Sequence, residues 1–254
     1  MTEVDSGKTI YPFLWRQLDI YGEKALVNLS KGDAKLKASR ELNSVLGGIN
    51  LGLNKNHLKS EPVLPVIEAM DQLIIEFEKL LDEEGDIEQT LQSFLQNNPI
   101  LLAPDYLECV PQGKFGAEYK NDFIIVQPSD SGGKCTLVEI EHAGHPLFKK
   151  DGGTRAELTH AIDQVRDWRK WLRKHGSYAQ DSLGLKNIHA DCPAKIIIGR
   201  RSSLNEETAE NLESINSNFH HQTVILTYDD VLDQAKQWVK NLKEFASQTN
   251  FMKA

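Results

Sequence analysis

Two runs rich in β-branched and apolar residues, 118–126 and 135–141, flank the segment Pro128-Ser-Asp-Ser-Gly-Gly-Lys134. Strand formers on both sides of a Gly, Ser and Asp turn predict an antiparallel hairpin. The residues after the hairpin narrow the fold further. Gly152 and Gly153 precede Thr154-Arg-Ala-Glu157, a Thr and Glu at capping-box spacing that predict the start of a long helix. The apolar stripe of that helix is Leu158, Ala161, Ile162, Val165, Trp168 and Leu172, and Gly176 is expected to close it. Residues 194–199 form a short apolar run suited to a buried strand, 204–215 read as a helix, and 223–227 as a last strand. Asp229 or Asp230 is placed to cap a final helix reaching Phe245. Ahead of the hairpin, Asp86 can cap a helix to Asn97, with Pro99 past its end and a short strand expected around 106–110. Helix, two or three strands, helix, strand, then helix–strand–helix is the order of an α/β domain.

Residues 1–82 read differently, as an all-helical region. Phe13, Leu14, Leu18, Ala25, Leu26 and Leu29 fall near helical spacing, and Asp33 can cap a segment ended by Gly47 and Gly48. Residues 50–65 resemble a linker. A strong stripe then runs through Ile67, Met70, Leu73, Ile74, Phe77, Leu80 and Leu81. The expected division is therefore 1–82 as a helical region and 86–254 as the α/β domain.

Hydrophobic residues make up 40% of the chain and charged ones 26%, an ordinary soluble balance. The longest apolar runs are too short to span a bilayer, and the polar N-terminus has no apolar core of a signal peptide, so a cytoplasmic protein with no membrane partner is expected. Cys109, Cys135 and Cys192 are odd in number and far apart, which argues against a disulfide framework or a zinc ribbon. No P-loop or nucleophile elbow is present. The net charge of −8 argues against coating duplex DNA by overall charge, yet the basic residues are uneven. Lys149, Lys150, Arg155, Arg166, Arg169, Lys170, Arg173 and Lys174 form a cluster that fits either a solvated helix face or a phosphate-binding face.

The hairpin carries the acids that matter most. Side chains alternate along a strand, so Glu139 and Glu141 share one face while Val138 and Ile140 point to the core. A turn centred near Ser131 places Asp122 opposite residue 140, to within one position, and so beside the same face. Three such carboxylates fit either a solvated strand face or a site for a hard divalent cation, Mg²⁺ or Mn²⁺, with oxygen ligands. His142 and His145 come directly after, exposed or at the site's edge. Trp168 lies in the apolar stripe, and Trp171 is the better candidate for stacking on unpaired bases.

Five blocks in order resemble the Shedu anti-phage defence family. They are Glu88-Gln-Thr-Leu-Gln-Ser-Phe-Leu-Gln-Asn-Asn-Pro-Ile-Leu-Leu102; Asn121-Asp-Phe-Ile124; Leu137-Val-Glu-Ile-Glu141 with Pro146-Leu-Phe148; residues 154–171 containing Ala161-Ile-Asp-Gln164 and Trp168; and Ile198-Gly-Arg200 with Leu226-Thr-Tyr-Asp-Asp230. The resemblance implies a PD-(D/E)XK nuclease fold, an α-β-β-β-α-β core with a C-terminal helix–strand–helix addition and an all-helical N-terminal region. It implies a Mg²⁺- or Mn²⁺-dependent deoxyribonuclease that acts on DNA in phage defence and assembles as a homo-oligomer, with residues 1–82 serving assembly or sensing. Carried over by position, Asp122 and Glu139 are metal ligands, Glu88 supports them from the first helix, and Gln164 is the glutamine of the second helix. Glu141 departs from the pattern, because it stands where the family motif has lysine. It leaves catalysis open through a general base or a third ligand, and it leaves open the alternative of a non-catalytic nucleic-acid-binding or assembly module. Lys120, Lys149, Arg166, Arg169 and Lys170 are the expected DNA contacts.

Overall fold

The computed structural model describes residues 63–83, 88–129, 133–219 and 222–248. The helices expected before residue 63, the capping role of Asp86 and the turn at Ser131 lie outside those residues. By packing, the chain divides into two compact units: residues 74–236, and residues 1–73 together with 237–254. Within the latter, Lys243 pairs with Asp71 at 2.8 Å.

The described elements begin with α1 (Val63–Glu83) and α2 (Glu88–Asn97), followed by a 3₁₀ turn at Pro99–Leu101. Strands β1 (Glu108–Pro111), β2 (Lys114–Phe115), β3 (Tyr119–Lys120), β4 (Phe123–Gln127) and β5 (Lys134–Ile140) come next. After them are α3 (Ala156–Asp181), β6 (Ala194–Ile197), α4 (Glu206–Asn218), β7 (Thr223–Leu226) and α5 (Tyr228–Gln248). Five strands form one mixed sheet in the order β1-β4-β5-β6-β7. The first three pair antiparallel, and β5, β6 and β7 pair parallel through helical crossovers.

Both faces of the central strands are covered. In β5 every residue from Cys135 to Ile140 is buried, the continuous burial expected of a strand sandwiched between layers. Antiparallel partners share a face, so the pairing of Ile124 with Leu137 sets one face and that of Phe123 with Val138 the other. On the first, Ala161, Val165, Trp168 and Leu172 of α3 join Ile124, Leu137, Ile196 and Ile225 in one core. On the second, Lys195 of β6 donates its ammonium to the Leu102 carbonyl at 2.6 Å, tying the sheet to the turn after α2. The expectation that Val138 and Ile140 alone face the core is corrected by this layering. Glu139 shares its face with Cys135 and Leu137, and that face too is interior.

Several local expectations resolve differently. Residues 118–120 do not extend β4; they form a second, two-stranded hairpin in which Lys114 faces Lys120 and Phe115 faces Tyr119. Thr154 does not cap α3. It is engaged in a β-bridge with Phe148, and Arg155 occupies the N-cap with no side-chain bond. Gly176 does not end α3, because the helix kinks at His175 and continues to Asp181. At α5, Thr227 and Asp230 exchange bonds, Asp230 Oδ2 accepting from the Thr227 amide and the Thr227 hydroxyl accepting from the Asp230 amide. Asp230 therefore answers the cap from inside the helix, while Asp229 accepts from Arg200. Among the described residues no helix is long and apolar enough to cross a membrane.

Candidate functional site

The register that pairs Phe123 with Val138 places Asp122, one residue earlier, opposite Glu139. The two side chains share the face covered by α3. Asp122 Oδ2 accepts the Ile140 amide at 2.9 Å, replacing a main-chain acceptor that β4, starting at Phe123, no longer supplies. The carboxyls of Asp122 and Glu139 lie close enough that each shifts the other's protonation. Each also receives a glutamine amide: Gln164 of α3 donates to Glu139 Oε1, and Gln92 of α2 donates to Asp122 Oδ1. Gln92 is oriented in turn by Gln112, whose amide donates to Gln92 Oε1 at 3.5 Å.

Sequence reasoning missed Gln92. The signal was available, since Gln92 lies four residues after Glu88 and hence one turn along the same helix face. Glu88 itself is exposed in the first turn of α2, and its charge raises the pKa of Asp122, Glu139 and Glu141. Glu141 lies just past β5, half-buried. Its amide donates to the Ile197 carbonyl at 2.8 Å, and its own carbonyl accepts the hydroxyl of the fully buried Tyr228 at 2.8 Å. Glu157, in the first turn of α3, adds a further negative charge felt by Glu141.

Burial and crowding together decide the protonation of this group. Glu139, 6% exposed, has its pKa pushed up to about 10, first by burial and then by the Asp122 charge. Asp122 is also raised by burial, partly offset by the Ile140 amide and by Glu139 as donor. The consistent arrangement has Glu139 holding a proton and donating it to Asp122. Glu141 is raised to about 7 by burial and then by Glu88 and Asp122.

The donor set fits a hard divalent ion: carboxylate oxygens brought together in a buried place where their negative charges crowd one another. Among the described residues no three His, Cys, Asp or Glu side chains are already arranged to hold a metal. The arrangement present is the Asp122–Glu139 pair with Glu141 and Glu88 close enough to repel it.

Residues 85–232, more than half of the 254-residue chain, match the family described as Shedu protein SduA, C-terminal. The chain belongs to the Shedu family. Membership suggests a role in anti-phage defence. No curated protein matches the chain. The Shedu match takes in Glu88, Gln92, Asp122, Glu139, Glu141 and Gln164, so the whole carboxylate–glutamine group lies within it. It also takes in the closing block, where Gly199 has a left-handed φ of 66°. A Cβ there would come 2.4 Å from the His145 carbonyl. Glycine is thus what lets the loop after Glu141 lie against the end of β6.

The basic residues of this Shedu chain separate into kinds. Lys120 and Lys149 are exposed, and Lys120 slightly lowers the pKa of Asp122. Arg166 pairs with Asp163 at 2.9 Å and Lys170 with Asp167 at 2.8 Å, both exposed. Arg169 donates to the Gln222 carbonyl at 2.7 Å and the Cys192 carbonyl at 3.3 Å, a structural tie from α3 to the starts of β7 and β6. Trp171 is no stacking platform, being 6% exposed and stacked on Phe115 at 5.5 Å, and Trp168 is core at 1%. His142 and His145 stack on each other at 4.5 Å.

Proposed function

We propose that this Shedu chain is a divalent-cation-dependent deoxyribonuclease of the PD-(D/E)XK type that acts on DNA in anti-phage defence. The observation that carries the reading is the register that sets Asp122, just ahead of β4, opposite Glu139 on β5, each receiving a glutamine amide from a different helix. Asp122 and Glu139, with Glu141 beside them, are the residues that would hold Mg²⁺ or Mn²⁺. The ion, when bound, supplies positive charge that offsets the carboxylates and polarises a phosphodiester.

The chain's own groups provide the rest. Gln164 and Gln92 fix the orientation of Glu139 and Asp122 so that their oxygens converge on one spot. Glu141, half-buried just past β5 and beside the Asp122–Glu139 pair, is the carboxylate available to accept a proton from an attacking water. As water's oxygen bonds to phosphorus, its proton passes to the Glu141 carboxylate; the bond to the leaving sugar oxygen breaks, and that oxygen takes a proton from solvent to leave as the alcohol. Lys120 and Lys149 are exposed cations available to backbone phosphates. A homo-oligomer, a cytoplasmic location and a role of residues 1–82 in assembly or sensing belong to the same proposal.

A second reading is a non-catalytic DNA-binding or assembly module. It is favoured by Glu141 at the motif lysine position and by the lack of a ready three-ligand cage among the described residues. Incubation with linear and circular DNA in Mg²⁺ or Mn²⁺ separates the two. Cleavage that disappears in Asp122→Ala and Glu139→Ala, both checked for folding by circular dichroism, supports the enzyme. DNA binding with no cleavage under either ion supports the module.

A further inference from the structure

At the far end of β5 from Glu139 lies a second pair of reactive groups that the nuclease reading does not use. The parallel register pairs Leu137 with Ala194, and the ladder continues backwards through the Leu137 amide, which donates to the Pro193 carbonyl at 2.9 Å. Two positions further back stand Cys135 and Cys192. Neighbouring strands lie about 4.8 Å apart, inside the roughly 4.4–6.8 Å Cα separation that a disulfide bridges. Residues at equivalent register positions share a face, and both cysteines belong to the same buried cluster. Each thiol shifts the other's titration, as two sulfurs side by side in one core would. Cys135 also has the Lys186 carbonyl as acceptor at 3.3 Å, and Cys192 Sγ accepts the His189 amide at 3.3 Å.

We propose that Cys135 and Cys192 form a dithiol modification site that a small hydroperoxide converts to an intramolecular disulfide. Cys192 is the attacking sulfur, because the neighbouring donors favour its thiolate. The neighbouring Cys135 thiol and the His189 amide lower its pKa to about 6 against the cost of burial. Cys135 is raised and remains the thiol. In the first step the Cys192 sulfur bonds to one peroxide oxygen and the O–O bond breaks; the departing oxygen takes a proton and leaves as water or alcohol. In the second, the Cys135 sulfur attacks the resulting sulfenic sulfur, the S–O bond breaks, and the oxygen leaves as water with the Cys135 proton. Two thiols lose two electrons and the peroxide gains them.

Both cysteines are buried, Cys192 at 0% and Cys135 at 2%, so the oxidant must be small; the 182–191 loop lies against them, its Lys186 and Asn187 carbonyls facing the two sulfurs. That loop contains two left-handed residues, Gly184 and Asn187, and is held at its middle by the Gln180 side-chain amide on the Ile188 carbonyl at 2.7 Å. Cys109 is the internal control. It is only partly buried, and burial and Glu108 push its thiol up to about 12, so it should stay reduced.

The test uses the full chain, reduced, then exposed to graded hydrogen peroxide at neutral pH. Free thiols should fall from three to one, intact mass should drop by two hydrogens, and peptide mapping should find Cys135 joined to Cys192. In Cys135→Ser, Cys192 should stop at the sulfenic acid and be trapped by dimedone. Because the wild-type mapping needs no variant, a misfolded Cys135→Ser leaves the test intact. Retention of all three thiols at peroxide doses that oxidise free cysteine in the same solution overturns the proposal, as does a crosslink through Cys109 or one only between chains.

Discussion

Glu139 in the cation-free protein is a carboxyl that folding forces to keep its proton, and this has a measurable sign. Its folded pKa of about 10 lies above the ordinary glutamate value of about 4.3, so the folded state binds more protons than the unfolded one between those limits. Stability is therefore highest below the unfolded value and falls as pH rises through the window, by at most about 1.4 kcal/mol per pH unit for this group. Urea denaturation in EDTA from pH 5 to 9 should show that decline, and Glu139→Gln, which cannot ionise, should flatten it. A decline of equal slope in both proteins would refute the assignment. Gln92 acts through the neighbouring carboxylate, Asp122. Removing an orienting partner of a metal ligand typically weakens the ion about 10- to 100-fold, so Gln92→Ala should weaken Mn²⁺ binding by that order in calorimetry while leaving circular dichroism unchanged. Asp122, Glu139 and Gln164 were legible in the sequence, because alternation and hairpin length fix which strand residues face each other and the family resemblance marks the glutamine. Gln92 was not, since a glutamine on an amphipathic helix carries no mark of what it donates to.

Among the elements, the sheet and its long helix were read from periodicity, and the departures have local causes. Two-residue strands such as β2 and β3 are shorter than any alternation pattern can show. Thr154 has the composition of a cap, but the bridge to Phe148 engages its backbone first. The closing blocks acquire a physical meaning only with the coordinates. Arg200, at the end of β6, donates from Nε and Nη2 to Asp229 in the first turn of α5, at 3.1 and 3.0 Å, and from Nη1 to the Leu81 carbonyl at 2.9 Å. Three elements thus meet on one guanidinium, whose planar fork a lysine does not reproduce. Arg200→Ala removes the guanidinium from a part-buried Asp229, which keeps the Arg201 amide, and should cost about 2 kcal/mol, with Arg200→Lys recovering less than half of it in thermal denaturation. Asp229 is lowered by Arg200 despite burial, so the stabilisation from this brace is present above the ordinary aspartate value near 4 and fades as pH falls below it.

Across the whole molecule, the net charge of −8 means that the DNA contact proposed above would rest on a few exposed cations rather than on the average field. Lys120 and Lys149 are the exposed candidates with no acidic partner at their side chains among the ion pairs described, whereas Arg166 and Lys170 each have one on their own helix. Lys120→Ala and Lys149→Ala should each reduce the slope of log affinity against log salt by about one, and Arg166→Ala by less. Arg169→Ala should lower thermal stability instead, since its guanidinium ties α3 to the sheet. An unchanged salt slope in both lysine variants would move the DNA path elsewhere on the molecule. The most direct test of the proposed metal-dependent nuclease is anomalous diffraction from crystals soaked in Mn²⁺. The predicted result is a peak between the carboxyl oxygens of Asp122 and Glu139 that vanishes in Glu139→Ala crystals. Saturating Mn²⁺ with no peak there, or a peak that persists without Glu139, would contradict it.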